Sequence, residues 1–286
     1  MKDLRLNYSI PLMSRMMGVS SSGYYAWQDR PLSEHDREEM RLEIEIRAAH
    51  KRTRHTYGPE RLQCDLAGHG ILVGVCRIKR IRRKLGIRCK QKRKFKVTTD
   101  SRHKLPVAAN LLNQQFKAEK PNRVWLSDIT YVPTDEGWLY LAGHKDLFTK
   151  VMVGYAMGER LTKNLVSESL YRGLAAKRPS PGLMHHSDRG SQYCSYEYRQ
   201  ILDEFGVQIS MSGTGNCYDN APMESFWGTL KQELVYHCHF TTRRQAVQAI
   251  TEYIEMFYNR QRLQSKLGFL SPAAFEQKYY AGIMAS

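Results

Sequence analysis

No stretch of this 286-residue chain is apolar for long enough to span a bilayer or anchor in one. Nothing before residue 30 has the layout of a secretory leader, a basic start followed by an apolar run. The six cysteines (Cys64, Cys76, Cys89, Cys194, Cys217 and Cys238) include no C-x-x-C pair and no disulfide-like density. These absences argue against a membrane or secreted protein and for a reducing cytoplasm. His237-Cys238-His239 lacks further ligands at workable spacing, so it reads as a histidine pair at the end of an element rather than a zinc site. Acid is also missing locally: between Val75 and Lys96 there are 12 Lys or Arg and no Asp or Glu.

What is present is basic and unevenly spread. The net charge is +16. Residues 1–120 hold 27 Lys plus Arg against 12 Asp plus Glu, a net of +15, and residues 121–286 hold 17 against 16, a net of +1. A basic half of that size favours a polyanion, of which nucleic acid is the commonest. With 42% apolar residues, the chain has material for two or three domains with real cores.

Residues 1–32 form a helix-turn-helix-like segment. Pro11 opens a first short helix, Gly18 breaks it, Ser20 caps a second, and Tyr24, Tyr25 and Trp27 supply apolar bulk. Residues 33–100 form a basic helical domain. Its first helix, over 33–54, is charged, with Met40, Ile44 and Ala48 as a modest apolar stripe and a solvated charged face. A second helix starts at Tyr57-Gly58-Pro59. A third runs from Val75 to Leu85 with Ile78, Ile81 and Leu85 inward. Arg77, Lys79, Arg80, Arg82, Arg83 and Lys84 lie on that third helix, and Lys90, Lys92, Arg93, Lys94 and Lys96 follow as a tail. Solubilising faces mix signs; an unmixed run reads as a surface for DNA phosphates. Such contacts position a protein without conferring sequence preference.

Residues 101–121 read as a linker, and residues 122–280 as a second domain of different pattern. Val124–Val132, Trp138–Leu147 and Lys150–Gly158 read as strands, followed by a helix over 164–176 and a strand ending at His186. A helix over 196–205, a strand over 207–211 and a last helix complete an α/β pattern, a mixed sheet with helices on its faces. In the stretch Gly213–Glu233, a glycine loop turns into a helix. Asp219 and Asn220 are its candidate caps, Pro222 suits its first turn, and Phe226, Trp227, Leu230 and Leu234 recur at helical spacing.

Three acids stand out by position. Asp128 sits inside an apolar strand, where a carboxylate is unfavourable unless paired or bound to a metal. Asp188 follows the carboxyl end of a strand, where open α/β sheets place their sites. Glu224 opens a helix after a loop that can bring it to the sheet, and Lys231 lies almost two turns further on the same face. Three gathered carboxylates form a hard-oxygen site for Mg²⁺ or Mn²⁺. Two such ions, ~3.5–4 Å apart, serve phosphodiester chemistry. Taken singly, each acid is more often a surface group or a cap.

Taken together, the blocks resemble the DDE transposases of insertion sequences, in particular the second-frame (OrfB) protein of the insertion-sequence-three class, and more distantly retroviral integrases. The matching segments are Val124–Tyr131, Gly137–Ala142, His186–Tyr193, Asp219–Glu233, Tyr258–Arg260 and Gly268–Phe275, with 35 residues between Asp188 and Glu224. The resemblance implies a ribonuclease-H-like core, with Asp128, Asp188 and Glu224 as catalytic metal ligands and Lys231 on DNA phosphate. It implies cleavage and strand transfer at element ends with no covalent enzyme–DNA intermediate. Ser187, Ser225 and Tyr218 then shape the pocket. Implied partners are terminal-repeat and target DNA, further copies of the chain on DNA, and a first-frame (OrfA) product, in the bacterial nucleoid. The alternative is a DNA-binding protein with an inactive nuclease half that occupies element ends. Two departures stand out: His144-Lys145 replaces apolar residues before Asp-Leu-Phe, as a packing cost or a strand edge, and no separate heptad-repeat segment is present.

Overall fold

The computed structural model describes residues 1–90, 107–213 and 217–284, without the side chain of Cys217. The expectations placed on the basic residues Lys92, Arg93, Lys94 and Lys96, and on residues 214–216 of the glycine loop, lie outside the described residues.

The amino-terminal helices are α1 (Ile10–Met17), α2 (Ser21–Gln28), α3 (Glu34–Arg52), α4 (Pro59–Gly68) and α5 (Val75–Lys84). Gly18 ends α1 in the left-handed conformation that glycine adopts without strain, and the Ser20 hydroxyl accepts from the Gly23 amide to cap α2. In α3 the expected stripe is wrong. Leu42, Ile46 and Ala49 face inward, whereas Met40 and Ile44 are exposed. Both sets have helical spacing, and packing against α4 and α5 decides between them.

The second half is built on a five-stranded sheet of order β3-β2-β1-β4-β5. Its strands are β1 (Val124–Thr134), β2 (Gly137–Asp146), β3 (Met152–Gly158), β4 (Met184–Ser187) and β5 (Gln208–Met211). The first three form an antiparallel meander, and β4 and β5 run parallel to β1. This mixed sheet with covering helices follows the strand and helix order read in the sequence, and it is the ribonuclease-H-like arrangement that the resemblance implies. Side chains alternate across β1, as a period of two requires. Trp125 enters the core beneath α6 (Lys163–Lys177) and α7 (Tyr196–Glu204). Leu126 enters the core shared with α8 (Ala221–Glu233) and α9 (Arg243–Glu252). At Gly154 the backbone of α6 comes so close that an added Cβ would lie 2.4 Å from the Ser169 carbonyl oxygen.

His144-Lys145 does not mark an edge. Both residues lie in β2, an inner strand, at a shift in its register with β3, and both are buried. His144 hydrogen-bonds Ser169 Oγ at 2.9 Å, and Lys145 Nζ donates to the Pro222 carbonyl at 3.1 Å.

After α9 come a π-helical turn (Tyr253–Tyr258) and α10 (Pro272–Met284). The basic helical domain packs directly on this carboxy-terminal end. Ile46, Leu62, Ile78 and Ile81 share one buried cluster with Phe226, Tyr253 and Phe257. The Tyr57 hydroxyl donates to the Gln261 carbonyl and accepts from the Leu263 amide, and Arg54 pairs with Glu252. Residues 107–116 are no free tether either. The Leu112 side chain is buried, and the Leu111 and Leu112 amides donate to Ser210 Oγ on β5.

Candidate active site

Register brings the first two acids together. Leu126 on β1 pairs with His186 on β4, so Asp128 and Asp188 both lie two residues beyond a matched pair on neighbouring strands. Asp128 Oδ1 accepts from the Ile129 amide at 2.8 Å, and its Oδ2 accepts from the indole of Trp227 at 3.1 Å. Asp188 Oδ1 accepts from the Gly190 amide at 2.9 Å, which tightens the turn after β4. Ser187 is buried and its hydroxyl donates to the Asp188 carbonyl. Tyr218 is largely exposed.

The electrostatics tie all three acids to one place. Burial holds the Asp128 carboxyl well above its usual range, and the charges of Asp188 and Glu224 push it further. Glu224 is also raised, by partial burial and then by Asp188. Mutual repulsion of carboxylates disfavours the all-charged state. A hard divalent cation relieves that repulsion, and the oxygen-only donor set suits one. Among the described residues, no group of three or more His, Cys, Asp or Glu side chains is already closed to metal-binding distance.

Glu224 sits on the first turn of α8, exposed, with no hydrogen-bond partner among the described residues. Its position is therefore set by the start of the helix. Asn220 is the N-cap residue, but its side chain makes no capping bond. Its Nδ2 instead donates to the Ser127 carbonyl at 2.9 Å, next to Asp128. Two turns on, Lys231 Nζ lies 5.2 Å from the centre of the Tyr131 ring on β1. Burial lowers the Lys231 pKa while Asp128 favours its charge. Lys231 thus lies on the face of α8 turned towards β1, where Asp128 stands.

The contribution of Trp227 was not legible in the sequence. It reads there as one more apolar residue at helical spacing, and only the fold aims its N–H at Asp128. The same holds for Lys145, since an isolated lysine in a strand carries no signal of which helix it will tether.

Comparison with known proteins points to one family. Residues 118–217 and 224–279 match the family descriptions "Integrase core domain", and residues 35–95 match "HTH-like domain". A 31 kDa protein of insertion element IS600 from Shigella sonnei is 58% identical over 268 residues, covering 94% of this chain and 98% of that protein. The transposase InsF of insertion sequence IS3A from Escherichia coli K12 is 39% identical over 276 residues, covering 96% of each. The chain belongs to the IS3-class insertion-sequence transposases. It is a polynucleotidyl transferase that acts on insertion-sequence ends. Two solved structures are also similar. In the simian T-cell lymphotropic virus intasome the likeness has TM-score 0.48 and 17% identity, over 75% of this chain and 70% of that one. In the HTLV-2 integrase catalytic core with magnesium it has TM-score 0.45 and 13% identity, over 56% and 99%.

In this transposase the basic helix α5 is less bare than its sequence suggests. Arg77 pairs with Glu38 at 3.2 Å, Arg80 with Glu39 at 2.5 Å, and Lys84 with Glu43 at 2.5 Å and Glu39 at 3.8 Å. The charged face of α3, expected to be merely solvated, thus neutralises one flank of α5. Arg82 is buried and donates to Cys89 Sγ at 3.2 Å, so it does not face solvent as a phosphate contact requires. Lys79 and Arg83 remain exposed, with no ion pair among the described residues. His237 bonds the Gln232 carbonyl, and His239 bonds the Asp135 carboxylate at 2.8 Å.

Proposed function

We propose that Asp128, Asp188 and Glu224 are the catalytic carboxylates of this transposase and hold two Mg²⁺ or Mn²⁺ ions at the element end being cut. The observation that carries this reading is the register that sets Asp128 and Asp188 two residues beyond a matched pair on neighbouring strands, with Glu224 near enough that its charge, like that of Asp188, raises the Asp128 carboxyl. Bound ions supply Lewis-acid stabilisation of the attacking and leaving oxygens of a phosphodiester.

The residues of the chain supply position. Asp128 is held by Ile129 and Trp227, Asp188 by the turn at Gly190, and Glu224 by the start of α8. Lys231, on the same helix, holds the phosphate next to the scissile bond. Water adds to the phosphorus at the element end as its bond to the 3′-oxygen breaks, leaving a 3′-hydroxyl and a 5′-phosphate. That hydroxyl then attacks a second phosphodiester, forming one P–O bond as the bond to that phosphate's own 3′-oxygen breaks and leaves as a new 3′-hydroxyl. No serine or tyrosine forms a bond to DNA in either step. Lys79 and Arg83 on α5 contact the phosphates of the terminal repeat, with Arg77, Arg80 and Lys84 available once their glutamate partners yield. Further copies of the chain and a first-frame partner complete the working assembly on DNA, in the bacterial cytoplasm at the nucleoid.

The test uses labelled terminal-repeat DNA with Mg²⁺ or Mn²⁺, scoring nicked and joined products. Glu224→Gln keeps the shape of the side chain and removes its charge, so it is expected to abolish both products. Cutting at the parental rate by that variant would exclude the assignment.

A further inference from the structure

Asp219 reads in the sequence as a helix cap, yet its carboxylate is used elsewhere. It is 2% exposed and, among the described residues, accepts from Gly213 just ahead of it and from Asn110 and Gln114 far back in the chain. Oδ2 accepts from the Gly213 amide at 2.7 Å and from Asn110 Nδ2 at 2.9 Å, and Oδ1 accepts from Gln114 Nε2 at 2.9 Å. Asn110 and Gln114 belong to the segment that leads from the basic domain into the sheet. That segment is fastened to β5 at the same level. The Met211 amide donates to the Ala109 carbonyl, and Ser210 Oγ accepts from the Leu111 and Leu112 amides at 2.9 and 3.3 Å.

The bonds on the next residues run to the catalytic sheet. Asn220 donates to the carbonyl of Ser127, and Lys145 donates to that of Pro222. Asp219, Asn220 and Pro222 thus tie the start of α8 to the entering segment, to β1 and to β2, all within five residues of Glu224. Glu224 has no hydrogen-bond partner of its own among the described residues. These ties hold the helix start that carries it, beside the buried Met223, Phe226 and Trp227 of α8, and of the three residues Asp219 is the one bonded to the entering segment.

We propose that Asp219 is a positioning residue that locks residues 110–114 to the catalytic helix and so sets Glu224 relative to Asp128 and Asp188. The proposal rests on the catalytic reading of Glu224. On this account residues 110–114 are part of the catalytic apparatus rather than a spacer between domains. The chemistry demands a carboxylate: an amide at position 219 turns an NH₂ group towards donors and leaves at least one of them unpaired. The group is ionised, because burial raises its pKa but the Gly213 amide, Gln114, His186 and Asn110 together pull it below the ordinary value.

The experiment compares the full-length chain with Asp219→Asn, and with the double variant Asn110→Ala/Gln114→Ala. Gln114 is exposed and Asn110 half-buried, so the double variant leaves the core intact. Three quantities are read: single-turnover cleavage of terminal-repeat DNA at saturating DNA, DNA affinity without metal, and hydrogen exchange at the Gly213 amide. Both variants are expected to slow cleavage on the order of ten-fold or more, since small misplacements of catalytic groups cost this much. DNA affinity stays unchanged, and the Gly213 amide exchanges faster in Asp219→Asn. Parental cleavage rates in both variants would overturn the proposal, as would a rate loss matched by an equal loss of DNA affinity. Glu224→Gln, run alongside, keeps the two readings apart. If it cuts, the catalytic reading fails; if it is inactive while both Asp219-contact variants are fully active, only the positioning role fails.

Discussion

The indole N–H of Trp227 donates to Asp128 Oδ2 at 3.1 Å, joining the first turns of α8 to the middle of β1. A hydrogen bond to a charged acceptor contributes about 1.5–3 kcal/mol. Here it holds one of the two oxygens of a half-buried acid of the site. Trp227→Phe keeps most of the apolar contact with Gly143 and the sheet but deletes the donor. Cleavage of terminal-repeat DNA is expected to fall roughly ten-fold, equivalent to ~1.4 kcal/mol, with DNA affinity unchanged. Equal cleavage by parent and variant would show that the bond has no part in catalysis.

The ion pairs between α3 and α5 hold cations that DNA also seeks. Replacing Glu38, Glu39 and Glu43 with Gln frees Arg77, Arg80 and Lys84. Exposed pairs contribute only about 0–1 kcal/mol each, so the domain stays folded. DNA affinity is expected to rise. The plot of log affinity against log salt should steepen by up to about 0.9 for each added phosphate contact. An unchanged slope in a fluorescence titration would mean that this flank of α5 does not meet DNA.

The far end of α8 is held by a buried pair. Arg262 Nε and Nη2 donate to both oxygens of Glu233 at 2.7–3.1 Å, and the Tyr253 hydroxyl donates to Glu233 Oε2 at 2.7 Å. Removing one partner strands a buried charge and costs about 3–5 kcal/mol, whereas removing both together is often close to neutral. Arg262→Met should therefore lower the urea midpoint strongly, and Arg262→Met/Glu233→Leu should recover most of the loss. Equal losses in the single and double variants would contradict this account.

Acid should unfold the core through its neutral histidines. Burial lowers the pKa of His144 to about 3, and holds His185 well below its ordinary value. In the unfolded chain both protonate near pH 6.5. Below that pH the unfolded state binds more protons, so stability falls as pH falls, down to about pH 3 for His144. Each such histidine contributes a slope of about 1.4 kcal/mol per pH unit. His144→Gln should flatten the fall in melting temperature between pH 6 and 4. A parental profile would assign the acid sensitivity to other groups.

Local pattern in the sequence determined much of this protein. The order of strands and helices, the acids at Asp128, Asp188 and Glu224, and the basic character of α5 are all readable because each depends on neighbours within a few residues. Strand alternation and helical spacing repeat over two to four positions, and a carboxylate inside an apolar strand is conspicuous where it stands. The tertiary structure decided what long-range pairing controls. It placed Glu38 against Arg77, buried Arg82, chose Leu42 and Ile46 over Met40 and Ile44, and moved His144-Lys145 from a supposed edge to the sheet interior. It also turned Asp219 from a cap into a tie to Asn110 and Gln114. Each of these depends on groups far apart in the chain or on which of two helical faces meets a neighbour, and periodicity carries neither. Glu224 could thus be singled out from the sequence, while the bonds that hold its helix beside Asp128 were visible only in the folded chain.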